Sequence, residues 1–166
     1  MSLDELTQDA SSIVHGRVLR SWSAWDLGRT TIWTHYEIAV DDAWKGAPGK
    51  TLVVSEPGGE VDGVHLRVPG APQYSVGEEI VVFAAAVPVG YLRTCGWAQG
   101  RFLVETASDT PSGKRVKTDL TGVTLAESQE GKTRVVQKYA GLDGQDLGQF
   151  RQLVESILES QTRSEQ

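Results

Sequence analysis

Ile32-Trp33-Thr34-His35-Tyr36-Glu37-Ile38-Ala39-Val40-Asp41-Asp42-Ala43-Trp44-Lys45 is the stretch on which the fold turns. Ile32, Thr34, Tyr36, Ile38, Val40 and Trp44 share one parity; Trp33, His35, Glu37 and Asp41 take the other. That alternation predicts a long strand with one face in a core. Upstream, Val14, Gly16, Val18 and Trp22 share a parity, which predicts a partner strand with those residues on the core side. Asp26 and Gly28, within 23–29, suit the connecting loop. Pairing near residues 22 and 30 sets Val18 opposite Thr34, Val14 opposite Ile38, His15 opposite Glu37 and Arg17 opposite His35. A hairpin is marginal alone, so further strands must cover it.

Outward from the hairpin, Ser2 and Glu5 have capping-box spacing ahead of Leu3, Leu6 and Ala10, which predicts a short first helix. Thr51–Glu56, 64–68, 91–97 and 101–105 read as strands, and Arg134–Tyr139 as one more. The continuous apolar run 80–87 predicts a strand buried on both faces or lying under a helix. Segments 107–114 and 127–132 read as polar, turn-rich connections. Leu147, Phe150, Leu153, Val154, Ile157 and Leu158 outline an amphipathic helix over about 144–160, with Asp143 as its N-cap. The expected fold is mainly β: an antiparallel OB-like barrel core over about 12–140, a helix at each end, and one domain over 1–166.

A net charge of −6 and scattered Lys and Arg argue against nucleic acid. No run approaches the ~20 apolar residues of a spanning helix. The single Cys95 excludes an internal disulfide and reads as a small packed residue. No cofactor is expected. No metal is expected either: His15, His35 and His65 lack H-x-H or H-x-x-x-H spacing.

Two glycine- and proline-rich loops stand out. The first holds Glu56, Pro57, Gly58, Gly59 and Glu60; the second holds Pro69, Gly70 and Pro72. The first lacks the Gly-Lys-Ser/Thr end of a phosphate cradle. The two loops flank one short strand and share a rim if the first folds back along the sheet, which the Gly58-Gly59 pair permits. That rim is the expected binding surface for a protein or carbohydrate ligand, and the outer hairpin face around Trp33, His35 and Arg17 is the alternative surface. The tryptophans also suit a core. No nucleophile elbow and no H-E-x-x-H occur, so no catalytic residue is assigned and an enzyme is not expected. A hydrolase would need a pair such as His15, His35 or His65 with Glu37, Glu56 or Glu60. An oligosaccharide-binding face is the other alternative, and a flat row of outward tryptophans is its requirement.

Leu6-Thr7-Gln8-Asp9-Ala10, Ile13-Val14-His15-Gly16-Arg17-Val18 and Tyr36-Glu37-Ile38-Ala39-Val40 through Trp44-Lys45-Gly46 resemble an uncharacterised family of exported bacterial proteins. Glu56-Pro57-Gly58-Gly59-Glu60, Val68-Pro69-Gly70-Ala71-Pro72, Gly77-Glu78-Glu79 and Gln99-Gly100-Arg101-Phe102 extend the likeness over about 5–105. The resemblance implies export to the periplasm or beyond, with a leader trimmed ahead of Met1. The strand–Gly–strand opening and the Lys45-Gly46 strand end also resemble netrin-type modules, which include tissue inhibitors of metalloproteinases. That likeness implies an OB-like barrel of about five or six strands. Those inhibitors chelate zinc with a disulfide-held N-terminal cysteine, which this chain lacks.

Overall fold

A computed structural model describes residues 1–119, 126–129, 132–135 and 142–164. Helix α1 (Leu3–Asp9) starts at the expected capping box: the Ser2 hydroxyl accepts from the Glu5 amide at 3.2 Å, and the Glu5 carboxylate accepts from the Ser2 amide at 2.5 Å. The strands are β1 (Ser12–Trp25), β2 (Ile32–Lys45), β3 (Thr51–Pro57), β4 (Gly59–Val61), β5 (Val64–Leu66) and β6 (Glu79–Ala86). They continue with β7 (Leu92–Thr94), β8 (Arg101–Thr106), β9 (Lys114–Thr118), β10 (Ala126–Gln129) and β11 (Lys132–Val135), before helix α2 (Leu147–Ser164). One antiparallel sheet runs β3-β2-β1-β6-β8-β9, with β7 also on β6; β4–β5 and β10–β11 are separate two-stranded ladders.

The hairpin forms, but in a different register from the one expected. Trp22 lies opposite His35 and Val18 opposite Ile38, while His15 faces Asp42 and Arg17 faces Ala39. The loop is shifted to 26–31, where the Asp26 carboxylate accepts from the Thr30 amide at 2.7 Å and hydroxyl at 2.6 Å. A local Asx-type closure therefore sets the turn. Between Val18 and Arg20 the register slips at Leu19, which is 47% exposed. One extra residue exchanges the faces downstream. Trp22, expected on the core side, is thus turned outward and 39% exposed. Gly16 is needed for close approach: a Cβ there would sit 2.1 Å from the Ala39 carbonyl oxygen.

Strand β6 is buried on both faces, as its unbroken apolar run requires. Val81 and Phe83 pack with Leu3, Leu6, Phe102, Phe150 and Val154 under the two helices. Ile80 and Val82 pack with Val18, Tyr36, Ile38, Val54 and Tyr74 on the other side. Helix α2 begins later than the spacing suggests. Asp146, not Asp143, caps it by accepting from the Gln149 amide at 3.1 Å, and the helix runs on to Ser164. Asp143 instead accepts from the Thr118 amide at 2.9 Å. Residues 127–129 and Lys132, expected in a turn-rich connection, instead belong to β10 and β11, which pair with each other. The expected strand Arg134–Tyr139 overlaps β11 at Arg134 and Val135, and its remainder lies outside the described residues. Strand β9, of which only Lys114 falls in the expected connection 107–114, completes the sheet edge.

Asp146 also accepts from the Ser112 hydroxyl at 2.6 Å and amide at 2.9 Å, which holds its carboxyl at about 2. A folded-state value below the unfolded one gives stability that is present above the ordinary carboxylate range and lost as pH falls through it. The stability gap between the native chain and Asp146→Asn should therefore shrink between about pH 5 and about pH 2 in urea titrations. A gap constant over that window would remove the assigned role.

Candidate functional site

The chain leaves β3 at Pro57 and folds straight back. Gly58 and Gly59 take φ of +109° and +134°, and Gly59–Val61 then pairs with Val64–Leu66. Part of the expected loop is therefore a strand, and this ladder is what folds the first loop back. A Cβ on Gly59 would lie 2.5 Å from both the Ser23 and Thr34 hydroxyl oxygens, so only glycine lets the ladder sit this close to β1 and β2.

The fold-back creates a pocket of about 360 Å³. Thr34, Tyr36 and Glu56 line it from β2 and β3; Pro57–Glu60 and 65–68 line one side, and 71–73 the other. Of the residues singled out in the sequence, Glu56, Pro57, Gly58, Gly59, Glu60 and Pro72 therefore share one pocket. Pro69 and Gly70 line a second pocket of about 320 Å³, and Pro72 borders both. Trp33 and His35 lie elsewhere. They sit on the outer face of β2, where Tyr91 packs edge-on to both, with ring centroids 5.1 and 5.2 Å away.

Glu56 is a buried carboxyl in the lining of the first pocket. Its side chain is 2% exposed and ties β3 to β7: Oε1 accepts from the Thr94 amide at 2.8 Å, and Oε2 from Arg93 Nη2 at 3.2 Å. Burial pushes its carboxyl above the usual range, against the opposing pull of Thr94 and Arg93. Beside it, the Tyr74 hydroxyl shares a 2.6 Å hydrogen bond with the Thr94 hydroxyl, and burial raises the Tyr74 phenol. Sequence reasoning missed Tyr74, Arg93 and Thr94. The polar pair Arg93-Thr94 ahead of the buried Cys95 was the available signal. Cys95 is 6% exposed and its thiol is pushed up to about 11 by burial, as suits a packed residue.

His65 and Glu60 both line the first pocket, whereas His15 and His35 lie away from it. His65 Nδ1 is 3.8 Å from Glu60 Oε2, beyond hydrogen-bond reach, with both side chains mostly exposed. His15 Nε2 meets Glu79 Oε1 at 2.7 Å, but Lys114 Nζ takes the same oxygen at 2.6 Å, and Arg17 the other at 3.3 Å. That carboxylate serves an ion network on the sheet. His35 Nδ1 meets the Ser55 hydroxyl at 2.7 Å, yet Ser55 is 2% exposed, too deep for attack on a substrate. Among the described residues, no group of three or more His, Cys, Asp or Glu is placed to hold a metal ion, and no helix is long and apolar enough to cross a membrane.

The outer-face rings do not form a flat row. Trp22 and His35 are tilted by 32°, His35 and Tyr91 by 75°, and Trp33 and Tyr91 by 62°. Comparison with family models, with curated proteins and with solved structures gives no match to this chain.

Proposed function

We propose that this chain is a non-enzymatic binding module, exported to the periplasm or beyond the cell, that holds a polar segment of a protein or carbohydrate ligand at the rim pocket. The observation that carries this is the meeting of two glycine- and proline-rich loops across one cleft of ligand size. Its glutamates, histidine and exposed backbone favour a polar occupant over an apolar one. The resemblance to exported bacterial proteins supports the compartment. A nearly closed, OB-like barrel of the netrin type supports the rim's role, since such barrels bind at a strand face and its loops. The Glu56 bridge between β3 and β7 is what favours that closure.

Screening the chain against soluble oligosaccharides and peptides, followed by amide chemical-shift mapping, tests the reading. A ligand should shift 56–60 and 71–73. Gly59→Ala should weaken it by about tenfold or more while cooperative unfolding survives, since the new Cβ displaces the β4–β5 ladder. Full affinity in that variant would overturn the rim.

A second reading rests on the outer hairpin face. Trp22 is 39% exposed, with the Arg20 guanidinium 4.7 Å from its ring, and Trp97 is 43% exposed, with Arg93 at the same distance. Tryptophan and arginine are favoured protein anchors. The tilted rings disfavour a sugar platform there. Shifts confined to Trp22, Trp33, His35 and Tyr91 would select this face.

A further inference from the structure

A continuous stripe of rings and guanidinium groups leads from the outer hairpin face to the 3-10 turn Trp97–Gly100. Arg20 lies over Trp22, Trp22 meets His35, His35 meets Tyr91, Tyr91 meets Trp33, and Arg93 reaches both Trp33 and Trp97. Each step is between 4.7 and 5.8 Å. Two features set this stripe apart from packing. At its far end Trp97 holds φ at +58°, in the left-handed region that a bulky side chain disfavours. The indole stays largely exposed, so its burial does not offset that strain. Backbone strain of this kind concentrates where a side chain is held out for a ligand. The other feature is the order of charge. In both ion pairs the guanidinium is the outward partner: Arg20 is 66% exposed against 22% for Glu37, and Arg93 23% against 2% for Glu56. Both arginines donate through Nε and Nη2, so neither Nη1 has an acceptor among the described residues. The stripe thus turns cations to solvent on a chain whose net charge is −6.

We propose that this stripe docks an acidic segment of a partner protein, whose carboxylates meet Arg20 and Arg93 and whose apolar side chains enter the clefts between the tilted rings. This rests on the second reading above, the outer face, and is independent of the rim pocket. Guanidinium N–H groups match carboxylate oxygens, and tryptophan with arginine is the composition of interface anchors. The net charge of the chain repels an acidic partner elsewhere, which makes this face the place of complementary potential and gives the contact its specificity. Ring planes tilted by 32°, 62° and 75° offer edges and clefts, not the platform on which bases or sugars stack.

Random-peptide display against the full chain tests this. Enrichment of sequences that combine Asp or Glu with apolar residues is expected, and a synthesised binder should shift the indole N–H signals of Trp22, Trp33 and Trp97. Its Kd should rise severalfold from about 0.01 M to about 0.15 M salt, as the Debye length falls from about 30 Å to about 8 Å. Arg20→Gln should weaken it by about tenfold or more. Trp97→Gly should do the same while the urea midpoint holds or rises, because glycine accepts the left-handed backbone. A lower midpoint with intact affinity would make Trp97 a packing residue and overturn the proposal, as would an unchanged Kd in Arg20→Gln. Enriched sequences without acidic bias that still shift these indoles overturn the acidic partner and leave the outer face standing. Binders that shift 56–60 and 71–73 alone overturn it in favour of the rim. Oligothymidylate or polygalacturonate bound as tightly as the peptide overturns it as well.

Discussion

Phe150→Ala should lower the free energy of unfolding by about 3–5 kcal/mol, read from urea titrations with an unchanged slope. Phe150 is fully buried, and its ring meets Phe102 at 4.9 Å, Trp44 at 5.9 Å and Phe83 at 6.4 Å. These partners sit on β8, β2 and β6, so one side chain fastens α2 across three strands. Helix α2 has mostly polar residues outside that seam, and packing rather than propensity holds such a helix. Truncation removes the transfer term and leaves a cavity that rigid aromatic neighbours cannot close. Leu153 is the internal control. It falls on the sequence's apolar stripe but is 38% exposed, so Leu153→Ala should cost about 1 kcal/mol or less. Equal losses at the two positions would mean that α2 does not dock through Phe150.

What could be read ahead of the structure was local. The capping box at Ser2 and Glu5, the double burial of β6 and the helical stripe of α2 each depend on neighbours within a few residues. Pairing did not yield in the same way. The hairpin register hung on where the turn sits and on three register shifts, at Ile13/Val14, His15/Gly16 and Val18/Arg20, of which side-chain type gives no sign. Strand β4 was hidden because Gly59 and Glu60 are poor strand formers, and their ladder rests on positive φ at two glycines. The rim was half legible for that reason. Composition marked the loops at Glu56–Glu60 and Pro69–Pro72, and the fold-back joined them. Trp33 and His35 were legible as outer-face residues from strand parity, and there they pack with Tyr91, apart from the rim. The Glu56 bridge joins residues 37 and 38 positions apart, a separation at which residue type predicts nothing.

Removing Arg93 exposes what that bridge does. Glu56 is 1% exposed overall, and Thr94 and the Arg93 guanidinium are what stabilise its charged form. Arg93→Met keeps the length of the stem beside Trp33 and Trp97 but leaves a buried carboxylate without its cation. Breaking a buried pair in this way costs about 3–5 kcal/mol at neutral pH. The sign of the pH dependence follows from the direction of the shift. Burial already holds the Glu56 pKa above its ordinary value, so the folded state takes up a proton more readily than the unfolded state. Loss of Arg93 raises that pKa further. The destabilisation should therefore be largest above the folded-state pKa and shrink as pH falls through it, where the neutral acid needs no cation. Comparing native and variant chains at each pH cancels the acid loss from Asp146 and Glu79, whose pKa values are lowered in both. In a Glu56→Gln background the carboxylate is gone, and Arg93→Met should cost about 1 kcal/mol or less. A penalty that stays flat as pH falls into the acid range and is undiminished in that background would show that Arg93 acts through its packing on Trp33 and Trp97, not through Glu56.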